Sequence, residues 1–538
     1  MMRRLFAAIC AMLVISGCIR NDIPYPVVIP HILSMDVVGA KSVTINQEKR
    51  TVDIILQEEV DLRRVRILEC KVDEEDAKSS VELKGVLDLT EPLKVVLSTY
   101  QDYEWTVRAV RPVEKYFTVD GQVGSSVIDE SNHRAVAYVN KNVQLSNVNV
   151  TSLKLGPSNV STYSVQMEKL KNFSEPVELE VKYFDVMDYW TLYVEHSDQT
   201  VSIKSVNPWT REVYLTADGV AGQSNGFKYR KVGESGWIDV SGSAVEMQGG
   251  RFTAHITGLE ASTEYEFYAF SGSDMTEVRK FRTADARQFP NNSFEHFSIV
   301  TGKTYYKWYD PACSDPESQN IWWACGNGEG PDGVNGTGSL GIVLTFPDAD
   351  EKVDGDYSVR CESKNFAGLL ACGNLFTGRF ASLEGTTGGS VNYGRPWNTR
   401  PHAMKIWIKY ESGPIDLIKD LPVGDVVNIG DNDRCEIAVS VGNWDYRKMG
   451  GVPESPVYVN TSKGIYYTSE SPGVIGFGHL VLGESTAGWQ QFEIPLEYKT
   501  LTEIPTHIIV TCAASYRGDY LTGSSKTKLW VDKAELVY

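Results

Sequence analysis

Basic residues are the minority in this chain: 52 Lys and Arg stand against 70 Asp and Glu, a formal charge of −18. A nucleic acid needs a positive stripe to displace its counterions, and no Lys/Arg cluster of that size occurs, so nucleic acid is excluded as a partner. Long apolar runs are missing too. Beyond residues 1–17 nothing approaches the roughly 18–20 apolar residues that cross a bilayer. The eight His are scattered, Cys-x-x-Cys and His-Glu-x-x-His are absent, and the Gly-x-Ser-x-Gly at Gly222-Gln223-Ser224-Asn225-Gly226 has no helical pattern after it and so makes no nucleophile elbow. Zinc sites, zinc proteases and serine hydrolases of the elbow type fall with them. A sustained helical period is lacking as well. What recurs is short segments alternating Val, Ile, Tyr and Thr between turn residues, which makes the class all-β.

The N-terminus sets an expected compartment. Arg3-Arg4, the apolar run Leu5 to Ile15 and then Ser16-Gly17 form the basic region, short apolar region and small residues of a secretory signal over residues 1–17. Cys18 follows directly, and the run resembles the lipobox of bacterial lipoproteins. That resemblance implies a diacylated Cys18 as the first mature residue and an exported protein of the outer membrane or cell surface, held to the membrane by lipid alone. Removal of Arg3 and Arg4 takes the charge to about −20. Residues 18–30, broken by Pro24 and Pro26, read as a tether like those that open Bacteroidetes surface lipoproteins.

A repeat marks the first internal boundary. Glu91-Pro92 and Asp102-Tyr103-Glu104-Trp105-Thr106 return as Glu175-Pro176 and Asp188-Tyr189-Trp190-Thr191, at offsets of 84 and 85 residues. Two copies of one module are expected, residues 31–113 and 114–200, each an immunoglobulin-like sandwich with Trp105 or Trp190 in its core. Residues 201–285 resemble a fibronectin type III domain through Phe227-Lys228-Tyr229, Leu259, Thr263-Glu264-Tyr265 and Phe281-Arg282-Thr283. The resemblance implies a tyrosine corner, with the Tyr265 hydroxyl bonded to backbone near Leu259.

Eight of the 12 Trp lie between Trp308 and Trp530. Such density serves either a large sandwich core or an aromatic face on which sugar rings stack. This last segment, residues 289–538, contains Gly373-Asn374-Leu375-Phe376, Tyr393-Gly394-Arg395-Pro396-Trp397, Arg400-Pro401, Pro505-Thr506-His507 and Gly518-Asp519-Tyr520 leading to Trp530-Val531-Asp532. In these motifs it resembles the Putative carbohydrate metabolism domain found at the C-terminus of Bacteroidetes lipoproteins. The resemblance implies a β-jelly roll concerned with glycans and assigns no reaction.

Several residues are candidates for that work. Arg395 and Arg400 bracket Trp397 in a Pro-broken loop, where guanidinium forks suit sugar hydroxyls or tie the loop to its own carbonyls. Of Trp322 and Trp323, strand alternation sends one inward and one outward. Trp444, Asn374 and Tyr520, in or beside the aromatic motifs, complete the expected ligand set for a poly- or oligosaccharide. Glycoside hydrolysis or lyase chemistry needs carboxylates, and Glu436, Asp445 and Asp519 lie near the aromatic motifs. By analogy with jelly-roll modules, Glu295 and Asp532 are placed to share a structural Ca²⁺, the one metal expected and not required. Cys313/Cys325 and Cys361/Cys372 are close enough in sequence to bridge, or stay thiols with Cys435 and Cys512. Three functions remain open: a glycan binder, which is favoured, a glycoside hydrolase, and an adhesin that docks a surface protein through its Trp-rich face.

Overall fold

The computed structural model describes residues 28–74, 76–299, 305–312, 321–329 and 336–538. The expected leader, Cys18 and Cys313 lie outside the described residues. Contacts divide the chain into two compact units, one made of residues up to Lys115 with Lys154–Ser164 and Glu180–Asp188, the other of the remainder. Among the described residues no helix is long and apolar enough to cross a membrane.

In the first unit, Thr51–Leu56 runs parallel to Asp102–Val110 with Thr51 opposite Thr106, and Leu93–Ser98 closes the other side of that strand antiparallel. Alternation points Val95, Leu97, Trp105 and Val107 into a core in which Trp105 has no exposed surface. The parallel pairing recurs in the second unit, where Arg134 stands opposite Thr191, 83 and 85 residues further on. The sequence repeat is thus a repeat of strand pairing. Trp190, 1% exposed, takes the place of Trp105.

Residues 202–282 form two facing antiparallel sheets around Val213, Leu215, Phe227, Phe252 and Phe267. The tyrosine corner is present: the Tyr265 hydroxyl accepts from the Glu260 N–H at 2.9 Å, beside buried Leu259.

The last segment is a two-sheet sandwich whose eight main strands are β1 (Ser358–Glu362), β2 (Asn374–Leu383), β3 (Ala403–Glu411), β4 (Cys435–Gly442), β5 (Val474–Leu482), β6 (Gln490–Pro495), β7 (His507–Ala513) and β8 (Lys528–Val537). One sheet orders them β1-β8-β3-β6 and the other β2-β7-β4-β5. That arrangement, with the first four strands passing alternately between the sheets, is the jelly roll. Val359, Met404, Ile406, Ile408, Leu529 and Val531 from one sheet meet Leu375, Ile437, Val439, Val510 and Cys512 from the other. Each such side chain contributes about 1.5–3 kcal/mol on burial, and this face-to-face core holds the sheets together. Cys70, Cys325, Cys361, Cys372, Cys435 and Cys512 are all free thiols. The Cys361/Cys372 bridge does not form. Cys325, Cys361, Cys435 and Cys512 fill the sandwich core as small apolar groups instead.

Candidate functional site

Most of the aromatic and Arg candidates turn out to be structural. Trp397 is 2% exposed, with its ring near Phe289 (5.7 Å) and Trp322 (6.4 Å) and the Arg287 guanidinium over its face at 4.6 Å. A ring so enclosed cannot present a face to a sugar. Trp322 and Trp323 are both buried, which corrects the expectation of one outward. The cause is a register shift in the pairing of Trp308 with Trp323 and Tyr309 with Ile321, which interrupts alternation and leaves Trp322 as an extra residue. Trp444 is buried too and donates its indole N–H to the Pro472 carbonyl at 3.0 Å. Arg395 donates to the carbonyls of Gly378 (2.6 Å) and Trp322 (3.3 Å), the loop-tying role.

Arg400 joins two domains. Its fork donates to Leu501 (2.6 Å) and to Pro208 of the fibronectin-like domain (2.8 Å), and it lies over the Trp209 ring at 4.4 Å. His402 also stacks on Trp209, with centroids 5.6 Å apart, and faces Glu212 at 3.5 Å. The run from Asn392 to Tyr410 therefore holds the core and the junction of the last two domains.

Asp445 caps the short helix Tyr446–Met449, accepting from the Arg447 N–H at 3.0 Å. Glu295 accepts the N–H groups of Asp356 and Tyr357, and Asp532 those of Val353 and Asp354, at 2.8–3.1 Å. Glu295 through both oxygens and Asp532 through Oδ2 thus pin one turn, while Asp532 Oδ1 is buried with no partner among the described residues. Among the described residues no group of three or more His, Cys, Asp or Glu side chains could hold a metal ion.

The remaining candidates come together elsewhere. A cleft of about 540 Å³ opens on the outer face of the β2-β7-β4-β5 sheet, and Asn374, Glu436, Asp519 and Tyr520 all line it. Strand register explains the floor. Asn374, Ala513 and Glu436 form one cross-strand row, and Phe376, Thr511, Ala438 and His479 the next. Alternation turns Leu375, Ile437 and Cys512 to the core and these neighbours outward. Ala438, Thr511 and Ala513 are small, so the middle of the face stays hollow. The turn Gly518–Tyr520 after β7 supplies one wall. Gly518 approaches Cys372 so closely that a Cβ would sit 2.6 Å from the sulfur, hence the glycine there. Tyr520 of this turn stacks on Tyr466 at 4.6 Å and 20°.

Both carboxyls of the cleft are shifted toward their protonated forms. Burial raises Glu436 to about 7, with the charge of Asp519 adding to the effect and Arg517 opposing it. Enclosure by protein also raises Asp519, although the residue as a whole is exposed. Neither carboxyl accepts a hydrogen bond from a described residue. Burial, then Asp519 and Glu436, keep the Tyr393 hydroxyl protonated well beyond its usual range. Arg517 is engaged with Asp425 and lies over Tyr516 at 3.9 Å. Tyr393, Tyr466, His479, Thr511 and Arg517 were not among the candidates read from sequence. The signal was present in Cys435-Glu-Ile-Ala-Val-Ser-Val441, where Glu, Ala and Ser alternate with apolar residues and mark an open strand face.

Residues 293–537 match the family described as "Putative carbohydrate metabolism domain". A "putative glycoside hydrolase" from Bacteroides thetaiotaomicron aligns over 79% of this chain and 95% of its own, at 15% identity and a TM-score of 0.29. Another so described, from Bacteroides vulgatus, aligns over 46% and 96%, at 18% identity and a TM-score of 0.33. The FN1–FN3 domains of chicken CNTN1 align over 40% and 88%, at 11% and 0.14. No curated protein matches the chain.

Proposed function

We propose that the C-terminal jelly roll captures a poly- or oligosaccharide in this cleft, on a cell-envelope protein anchored by lipid at Cys18. The observation that carries the reading is the cleft itself: a hollow of small residues, a stacked tyrosine pair beside it, and two carboxyls without partners among the described residues. Sugar binding asks for that combination of aromatic surface and a few well-placed polar groups. The match of residues 293–537 to a carbohydrate metabolism family supports it. The test is retention of the full chain by a panel of plant and host polysaccharides in affinity electrophoresis. Retention that Tyr520→Ala reduces in a folded protein supports the reading, and no retention on any glycan refutes it. For the anchor, an alkyne fatty acid should label the chain in a Gram-negative host, and Cys18→Ser should abolish the label.

Hydrolysis is a second reading, favoured by one observation. A carboxyl raised to about 7 holds a proton near neutral pH, as a general acid must, and a second acid shares its cleft. In that case Glu436 would protonate the glycosidic oxygen while Asp519 served the opposite face of the sugar. New reducing ends, lost in Glu436→Gln with retention preserved, would establish it. Retention without new reducing ends would leave a binding protein.

A further inference from the structure

We propose that the cleft admits uncharged glycans and turns away acidic ones, with Glu436 and Asp519 setting the preference. This rests on the cleft being the glycan site. Its lining contains two acids, Glu436 and Asp519, and two basic side chains, Arg517 and His479. Arg517 is already spent: Nε and Nη2 both go to Asp425, and its plane covers Tyr516. His479 stands exposed on the outermost of the four strands. Lys419 reaches the rim, where its ammonium donates to the Thr386 carbonyl at 3.5 Å. Asp420 next to it adds a negative charge felt by Tyr466 and Tyr520.

Among the described residues, a uronate, sulfate or sialate group entering here would meet two unpartnered carboxyls and find no free guanidinium. Like-charge contact across an interface is a strong means of rejecting a wrong partner. A neutral sugar meets complementary chemistry. Its hydroxyls donate to the carboxylates, and the hydroxyl of Tyr393 and a protonated Glu436 donate in return. The raised affinity of both carboxyls for protons is the same property seen from inside, since a cleft that resists its own negative charge resists an incoming one.

The experiment compares a neutral hexose polymer with the same polymer oxidised at C6, where each hydroxymethyl becomes a carboxylate. Full-length protein is run in affinity electrophoresis at pH 7.5 against every neutral polysaccharide that retains it and then against the oxidised form. Oxidation should weaken retention roughly tenfold or more. Glu436→Gln and Asp519→Asn, each confirmed as folded by its melting curve, should narrow that ratio several-fold. Equal or better retention on the oxidised polymer overturns the inference, as does an unchanged ratio in both folded variants. Retention on no polysaccharide overturns the glycan reading beneath it, so the two failures are distinct.

Discussion

Trp397→Ala separates a core residue from a ligand platform. Trp397 is 2% exposed and packs against Phe289, Trp322 and the Arg287 guanidinium, between the start of the jelly roll and its interior. Truncation deletes the indole and leaves neighbours that cannot close over the void, because Phe289 and Trp322 are themselves fixed in the same core. Large-to-small changes of this kind cost about 3–5 kcal/mol. For a domain of this size each kcal/mol moves the melting point by about 2–4 °C, so the jelly-roll transition should fall by roughly 6–20 °C. Differential scanning calorimetry on the full chain reads this, with the transitions of the other domains as internal references. An exposed platform would behave otherwise, with a melting point unchanged within about 2 °C and a selective loss of glycan retention. That second result would refute the burial argument.

The Glu212 junction should depend on pH. Burial alone would raise Glu212, yet hydrogen bonds from His402 and His255 bring it below its usual range, while His402 is raised by Glu212. The His402 contribution is complete below about 6.5 and lost as pH rises through its folded pKa; that of Glu212 is present above about 4.5 and lost as pH falls through its own. The destabilisation by Glu212→Gln should therefore peak between about pH 4.5 and 6.5 in melts taken across the range, and a flat profile would contradict it. Glu436 acts in the opposite sense to a paired carboxylate. Its folded pKa of about 7 means the native state binds the extra proton, so stability falls between about pH 4.5 and 7 by on the order of 2–3 kcal/mol. Glu436→Gln should match the wild type below that range and exceed it above, which urea titrations at pH 4 and 8 would show. Chelation tests the calcium expectation: with Glu295 and Asp532 held by backbone N–H groups, EDTA should move the melting point by less than about 1 °C, whereas a bound structural ion would give several.

The fold was more legible in the sequence than the site. Alternation, the 84-residue repeat and the Tyr265 corner are local signals, each set by a few neighbouring residues, and each has its counterpart in strand pairing or a hydrogen bond. The cleft is assembled by register across β2, β7, β4 and β5, which bring Asn374, Ala513 and Glu436 into one row from positions far apart in the chain. Single-sequence spacing does not hold that information. Tryptophan density misled for a physical reason: a large jelly-roll core and an aromatic binding face draw on the same residue, and here the core took Trp308, Trp322, Trp323 and Trp397. The tyrosines were left to line the cleft. Glu436 and Asp519 meet there because one turn folds back after β7, whereas Asp445, equally close to an aromatic in sequence, caps a helix.

The central claim is that the hollow over β4 and β7 is where a glycan lies, and Ala438→Trp tests it most directly. Ala438 stands mid-strand on the open face, opposite Thr511 and His479, so an indole there would obstruct the middle of the cleft and leave the core-facing Ile437 and Val439 untouched. Polysaccharide retention by the full-length variant should disappear while its melting curve stays that of the wild type. Undiminished retention by a folded Ala438→Trp protein would place the glycan elsewhere and contradict the account.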